Sequence, residues 1–185
     1  MTIRNSQNGF GAVGLFIHWA MALLMVAGFI SGEVMEHADK APQGPSALSW
    51  HIIIGVVILG LVTLRILWRR LDPPPALPAT MPTWEVKLSW LVHMALYGVM
   101  IALPVTGLLA VFTINNPIPI TDSFTLMPLY TSEFLSDGFE EIHEALVGLM
   151  LASVGLHTIG AVWHRYVSKD GVMERMVPFL KQPQV

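Results

Sequence analysis

Residues 143–157, HEALVGLMLASVGLH, form an apolar stretch that begins and ends with a histidine. In an α-helix, with 3.6 residues per turn and a rise of about 1.5 Å per residue, His143 and His157 share one face and lie roughly 21 Å apart. That separation is a large part of the hydrocarbon thickness of a bilayer, which is about 30 Å. The stretch therefore predicts a membrane-spanning helix that carries imidazoles at two depths.

The composition of the whole chain agrees with a membrane setting, because 54% of its 185 residues are hydrophobic and 12% are charged. Four segments are long and apolar enough to span a bilayer: residues 13–32, 50–68, 88–112 and 142–163. No short apolar core with a small-residue cleavage site precedes the first, so it is not expected to be a signal peptide. We expect an all-α integral membrane four-helix bundle, with residues 1–185 as one domain.

The basic residues predict the orientation of the bundle, since short cytoplasmic loops hold the positive excess. Nine of the ten lysines and arginines fall on one side of the predicted spans, and Lys40 alone falls on the other. Both termini are therefore expected to be cytoplasmic. The opposite side carries nine of the thirteen acidic residues: Glu33, Glu36, Asp39, Asp122, Glu133, Asp137, Glu140, Glu141 and Glu144.

Charge and cysteine content exclude several functions. The formal net charge is −3, and the basic residues are sorted by topology rather than gathered into a nucleic-acid patch, so no nucleic-acid partner is expected. The chain has no cysteine. This excludes covalently attached c-type haem, cysteine-ligated iron–sulfur clusters and structural disulfides.

Two connections between spans have distinct compositions. Residues 71–82 are rich in proline and alanine, which predicts a semi-rigid cytoplasmic strap. Residues 113–136 combine three prolines with several large apolar side chains. A loop of this length and composition is predicted to pack over the bundle as a lid. The alternative is a loosely interfacial loop.

Six of the seven histidines lie within or at the ends of spans, where imidazoles are rare and usually functional. His51 and His143 fall at the outer level, on two different helices. At the inner level His157 can face either His18 or His93, and spacing alone does not choose between them. Separated pairs favour bis-imidazole ligation of two b-type haems over a tetrahedral zinc cluster. A single intramembrane histidine can also be no more than an interhelical hydrogen-bond partner.

The positions fourteen residues after the other span histidines lie on the same helix faces at the opposite depth. They are Gly32, Arg65 and Gly107. Each glycine would let the outer haem approach a helix backbone, and Arg65 would face the propionates of the inner haem. Ordinary helix packing and snorkelling of the arginine are the alternatives.

Together these features resemble the bacterial cytochrome b561 family of di-haem membrane proteins. The likeness extends over nearly the whole chain. It rests on FIHW (16–19), WH (50–51) leading to LRIL (64–67), His93 followed by IALPVTGL (101–108), LMP (126–128), HE (143–144), GLH (155–157) and HRY (164–166).

The resemblance is strongest to members that oxidise superoxide on the periplasmic side of the bacterial inner membrane and reduce ubiquinone. It implies two haem b groups, ligated by His51 with His143 and by His18, rather than His93, with His157. His93 and His164 are then expected to deliver protons to quinone, since His164 continues the face of His157 toward the cytoplasm.

Three alternative functions remain at this point. The first is a cytochrome b that transfers electrons between a periplasmic redox protein and the quinone pool. The second is a transporter that uses the histidines as proton relays, and the third is a purely structural helical bundle. The acidic outer face argues against an anionic substrate, because a positively charged surface would attract superoxide better.

Overall fold

The computed structural model describes residues 2–7, 9–37, 47–177 and 179–180. Four helices dominate it and each encloses one predicted span: α1 (Ala12–His37), α2 (Ala47–Leu71), α3 (Thr83–Thr113) and α4 (Glu133–Trp163). All four are long and apolar enough to cross a membrane. Helix α4 begins before its predicted span, at Glu133, because Ser132 caps the helix by accepting a hydrogen bond from the backbone N–H of Leu135.

The four helices alternate in direction, which gives the bundle two different ends. We call the end where α2 finishes and α3 begins the basic end, because Arg69, Arg70 and Lys87 lie there. We call the other, where α1 finishes and α4 begins, the acidic end. Its described carboxylates are all exposed and no lysine or arginine accompanies them among the described residues; Lys40 lies outside the described residues. The exposed carboxylates described at the acidic end are Glu33, Asp122, Glu133, Asp137, Glu140, Glu141 and Glu144.

The buried core is small and joins three of the helices. It consists of Ile17, Met21, Val62, Val92, Leu96 and Met100. Many large apolar side chains point outward instead; Phe16, for example, is 72% exposed and Leu23 is 70% exposed. Outward-facing apolar residues are what a helix needs where its surroundings are lipid rather than water.

The strap between α2 and α3 is tied to the segment before α1. The backbone N–H of Asn5 donates to the carboxylate of Asp72 at 2.9 Å, and the Asn5 amide donates to the carbonyls of Asp72 and Pro73 at 3.0 Å each. These contacts fix the beginning of the strap, at Asp72 and Pro73, against the segment before α1.

The connection between α3 and α4 forms a short hairpin of two antiparallel strands, β1 (Ile118–Thr121) and β2 (Phe124–Leu126). Ile118 and Ile120 of β1 are buried, and the buried Ser49 of α2 donates to the carbonyl of Pro119 at 2.7 Å. The lid prediction is thus right for β1. It was wrong for four other apolar side chains, because Phe124, Met127, Leu129 and Tyr130 are 56–79% exposed, whereas Leu126 is half-buried.

The α-helical period ends at Trp163, where residues 164–168 continue as a π-helix. Lys169 then adopts a left-handed backbone conformation with φ of 51°, and a 3₁₀ turn follows at Met173–Arg175. His164 itself still continues the α-helical backbone, since its N–H donates to the carbonyls of Ala161 and Gly160, and the regular period changes only after it.

Candidate imidazole pairs between the helices

The imidazoles of His51 and His143 meet at the acidic end, one from α2 and one from α4. Their ring centres lie 6.0 Å apart and their planes are inclined by 72°. The structure thus brings together the two histidines that the sequence placed at the outer level. Both rings are partly buried.

Each of these rings is oriented by a backbone carbonyl of the adjacent helix. Nδ1 of His51 lies 3.0 Å from the carbonyl oxygen of Gly28, and Nδ1 of His143 lies 2.8 Å from that of Leu103. A carbonyl oxygen can only accept, so Nδ1 carries the proton in each ring. Nε2 of each ring then keeps its lone pair, as a metal-ligating histidine requires.

Gly32 and Gly107 stand beside these two rings in matching positions. A Cβ atom at Gly32 would lie 3.3 Å from Cε1 of His51, and a Cβ at Gly107 would lie 3.2 Å from Cε1 and Nδ1 of His143. A side chain at either place would press on the imidazole. The two glycines therefore allow the rings to pack closely against helices α1 and α3.

Three imidazoles meet toward the basic end. The ring centre of His157 lies 6.1 Å from that of His18 and 5.2 Å from that of His93. Nδ1 of His93 lies 2.6 Å from the carbonyl oxygen of Ser89, one turn earlier in the same helix. The structure thus places both candidate partners of His157, His18 and His93, at the inner level.

The ring separations can be compared with the requirement of an iron held between two imidazoles. With metal–nitrogen bonds of about 2 Å, two imidazoles on opposite sides of one metal have ring centres about 6 Å apart. His51 with His143 meets this requirement at 6.0 Å, as does His18 with His157 at 6.1 Å. His93 with His157, at 5.2 Å, is closer than it allows. The donor sets therefore fit two bis-imidazole haems.

Arg65 lies beside the inner imidazoles, within the bundle. Its Nε donates to the hydroxyl of Tyr97 at 3.1 Å, and one terminal nitrogen donates to the carbonyl of Gly14 at 3.3 Å. The indole nitrogen of Trp68, one turn further along α2, is buried and has no partner among the described residues. These donors place positive charge and a spare N–H near the inner level.

The two halves of the bundle repeat one arrangement. In α1, His18 precedes Gly32 by fourteen residues; in α3, His93 precedes Gly107 by the same interval. The hydroxyl residue before each glycine touches the ring of the adjacent helix, with Ser31 3.0 Å from Nδ1 of His51 and Thr106 3.3 Å from Nδ1 of His143. Sequence reasoning missed these hydroxyls, although Ser-Gly and Thr-Gly at matched positions were a usable signal.

The repeat is broken at one position, where α2 has Arg65 and α4 has His157, each fourteen residues after the outer histidine. The inner level therefore contains three imidazoles and one guanidinium rather than four imidazoles.

His164 is buried among carboxylates rather than among the other imidazoles. Its Nδ1 lies 2.7 Å from Oδ2 of Asp170, and Glu85 at the start of α3 lies close by. The structure brings neither His93 nor His157 into ring contact with His164. Sequence reasoning missed Glu85 and Asp170, because nothing in the spacing brings the first turn of α3 to the end of α4.

Comparison with known proteins gives a consistent answer. Residues 9–179 match the family model described as prokaryotic cytochrome b561. A protein of Yersinia pestis named probable superoxide oxidase CybB is 30% identical, over 91% of this chain and 96% of its own length. Cytochrome b561 homologs 1 and 2 of Escherichia coli (strain K12) are 26% and 25% identical, and each alignment covers at least 93% of both chains.

The family match spans most of the chain, and the four apolar helices agree with a multi-pass bacterial membrane protein. The chain therefore belongs to the prokaryotic cytochrome b561 family of membrane electron-transfer proteins, which bind b-type haem.

Proposed function

We propose that this cytochrome oxidises superoxide at its acidic end and reduces ubiquinone at its basic end. The observation that carries the proposal is the pair of similar imidazole couples, with ring separations of 6.0 and 6.1 Å, at two levels of one bundle. Two such couples provide places for two redox groups between the two ends. The name of the Yersinia pestis relative supports superoxide as the electron donor.

In this proposal His51 and His143 would hold the iron of one haem b, and His18 and His157 would hold that of the other. Haem b supplies a one-electron carrier when it is bound. The protein fixes the outer rings through the carbonyls of Gly28 and Leu103. Gly32 and Gly107 line the outer haem site, where they leave the rings free to approach α1 and α3.

His93 is left out of the inner haem site because its ring lies too close to His157 for one metal between them. Its Nδ1 is already held by the carbonyl of Ser89, which leaves Nε2 to accept and release a proton. Ubiquinone gains two electrons and two protons when it is reduced. Two superoxide ions, one quinone and two protons therefore give two oxygen molecules and one quinol.

His93 and His164 are proposed to supply these protons from the basic end, since imidazole exchanges protons near neutral pH. Arg65 is proposed to hold a haem propionate or the quinone head group, because its guanidinium lies at the inner level. The basic end faces the cytoplasm in this arrangement, and both termini lie there. The distribution of lysine and arginine supports that orientation.

One observation favours a second electron donor. The seven described carboxylates of the acidic end are exposed, with no described lysine or arginine among them. Such a surface repels an anion and attracts a basic protein. The second candidate is therefore a cytochrome that exchanges electrons between a basic periplasmic redox protein and the quinone pool.

A superoxide pulse tests the first candidate against the second. We expect the purified oxidised protein to show two b-type haems per chain, and its haem absorption to change to the reduced form after the pulse. With ubiquinone present, about half a quinol should form per superoxide consumed. Reduction by a basic redox protein but not by superoxide would favour the second candidate. Absence of reducible haem would contradict both.

A further inference from the structure

The cluster at the start of α3 and the end of α4 contains Glu85, His164 and Asp170. One ligand atom from each residue, a carboxylate oxygen or an imidazole nitrogen, lies within 4.8 Å of the other two. The cluster plays no part in the imidazole pairs. It lies at the basic end, beyond the apolar part of the bundle.

The local backbone explains why Asp170 reaches His164. The π-helical turn and the left-handed conformation of Lys169 fold the chain back, so that Oδ2 of Asp170 lies 2.7 Å from Nδ1 of His164. Oδ1 of Asp170 accepts from the backbone N–H of Val172 at 3.1 Å. The carboxylate is therefore held in place from both sides.

Glu85 is the buried carboxylate of this cluster, and one of its oxygens has no hydrogen-bond partner among the described residues. The residue is only 8% exposed. Its Oε1 accepts from the indole N–H of Trp163 at 3.2 Å, but its Oε2 is buried and has no hydrogen-bond partner among the described residues. A buried carboxylate oxygen without a partner is costly, and buried charges are normally paired or bound to a metal.

We propose that Glu85, His164 and Asp170 bind a divalent transition-metal ion, with Zn²⁺ as the best match. One imidazole and two carboxylates form a ligand set that Zn²⁺ accepts, often with water in the fourth position. The imidazole disfavours Mg²⁺ and Ca²⁺, which prefer oxygen ligands. The ion would bind a carboxylate oxygen of the buried Glu85, and it would link α3 to the segment that follows α4.

The site has a consequence for the proposed quinone reaction. An imidazole bound to a metal cannot carry protons, so Zn²⁺ would remove His164 from proton delivery. That effect depends on the proposed function, whereas metal binding itself does not. Binding is therefore measured directly, and its result stands whether or not the protein reduces quinone.

The test is equilibrium dialysis of tag-free, haem-loaded protein against Zn²⁺ alone, followed by metal analysis. We expect about one Zn²⁺ per chain in the wild type. Glu85→Gln should weaken its binding at least about tenfold, because loss of a group that merely orients a ligand already costs about that much. Asp170→Asn is a second variant, in case Glu85→Gln folds poorly.

Glu174→Gln is the matched control. Glu174 is also a buried carboxylate at the basic end with an unpartnered Oε2, but its other oxygen accepts a hydrogen bond from Arg165 and it is not in the cluster. This variant should keep the metal. Absence of bound Zn²⁺ in the wild type, or unchanged binding in both Glu85→Gln and Asp170→Asn, would overturn the proposal. So would equal loss in Glu174→Gln.

Discussion

The outer imidazoles owe their orientation to three neighbouring backbone and side-chain groups in each half of the bundle. For His143 these are the carbonyl of Leu103, the hydroxyl of Thr106 and the bare Cα of Gly107. The carbonyl holds the proton on Nδ1, and the glycine leaves room for the ring. Each group orients the imidazole ring. Its loss should therefore lower the affinity for haem, because haem binding depends on the position of that ring.

We expect His51→Ala to remove the acidic-end haem and to spare the inner one. The remaining ring of His143 cannot supply both axial ligands, whereas His18 and His157 lie at the other level. Haem per chain should fall from two to one, as measured by absorption after extraction of the pigment. Loss of both haems, or of neither, would contradict the assigned pairs.

We expect Gly107→Ala to weaken haem binding at the acidic end by about tenfold, the effect typical of disturbing a group that orients a ligand. The added Cβ would lie 3.2 Å from the His143 ring and push it from the Leu103 carbonyl. The control is Gly98→Ala in the same helix, where the added Cβ has no heavy atom within 4 Å. Titration of haem into both proteins measures the difference, and equal affinities would contradict the expected crowding.

The inner ligand is tested by comparing His18→Ala with His93→Ala. We expect His18→Ala to lose the inner haem, because its ring separation of 6.1 Å from His157 suits one metal. His93→Ala should keep both haems and slow quinol formation. The readouts are pigment analysis and a quinol assay. A missing haem in His93→Ala would reverse the assignment.

Spacing along single helices was enough to place the histidines at two levels and Gly32 and Gly107 at the outer one. The contact of these glycines with the imidazole rings was not predicted. The interval of fourteen residues depends only on the regular period of an α-helix, so Gly32, Gly107 and the outer histidines followed from it. The carbonyl of Leu103 and the hydroxyl of Ser31 could not be predicted, because they depend on how neighbouring helices are rotated about their axes. Spacing left the choice between His18 and His93 open for the same reason.

At the scale of elements, the helices were predictable and the pieces between them were not. Each apolar segment became a helix because apolar side chains and satisfied backbone hydrogen bonds both favour it in lipid. The hairpin of β1 and β2 was missed, because its two strands have only four and three residues. The π-helical turn after Trp163 was also missed, since no sequence period marks it.

We expect Ser49→Ala to loosen the contact between β1 and α2. The change removes the hydrogen bond to the carbonyl of Pro119 and should lower the free energy of unfolding by about 1 kcal/mol. Thermal unfolding in detergent measures it, and proteolysis of residues 118–126 should become faster. Thr158→Ala removes a hydroxyl that donates to the carbonyl of Val154 within α4. If Thr158→Ala lowers the free energy of unfolding as much as Ser49→Ala does, the contact between β1 and α2 adds no stability beyond that of an ordinary hydroxyl hydrogen bond.

At the scale of the whole molecule, charge divides the bundle into two unlike ends. The exposed carboxylates of the acidic end repel superoxide at low ionic strength, and salt weakens that repulsion because the Debye length falls to about 10 Å at 0.1 M. A basic protein donor would show the opposite salt dependence. The sign of the salt effect therefore reports the charge of the electron donor.

We expect the rate of haem reduction by superoxide to rise between about 0.01 and 0.1 M salt. Replacing Glu140 and Glu144 with glutamine should raise the rate at low salt and flatten this dependence. Lys87→Gln, at the basic end, should leave it unchanged. Stopped-flow absorption measures the rates. A rate that falls with salt would indicate attraction and contradict the expected repulsion.

The facing rings of His51 and His143, and of His18 and His157, also bear on how the protein is assembled. In both couples one ring belongs to the helical hairpin α1–α2 and the other to α3–α4. Neither hairpin alone offers either of the proposed haems two ligands. Stable haem binding would therefore require that the two hairpins have already packed together. Bound haem would then mark a completely assembled bundle.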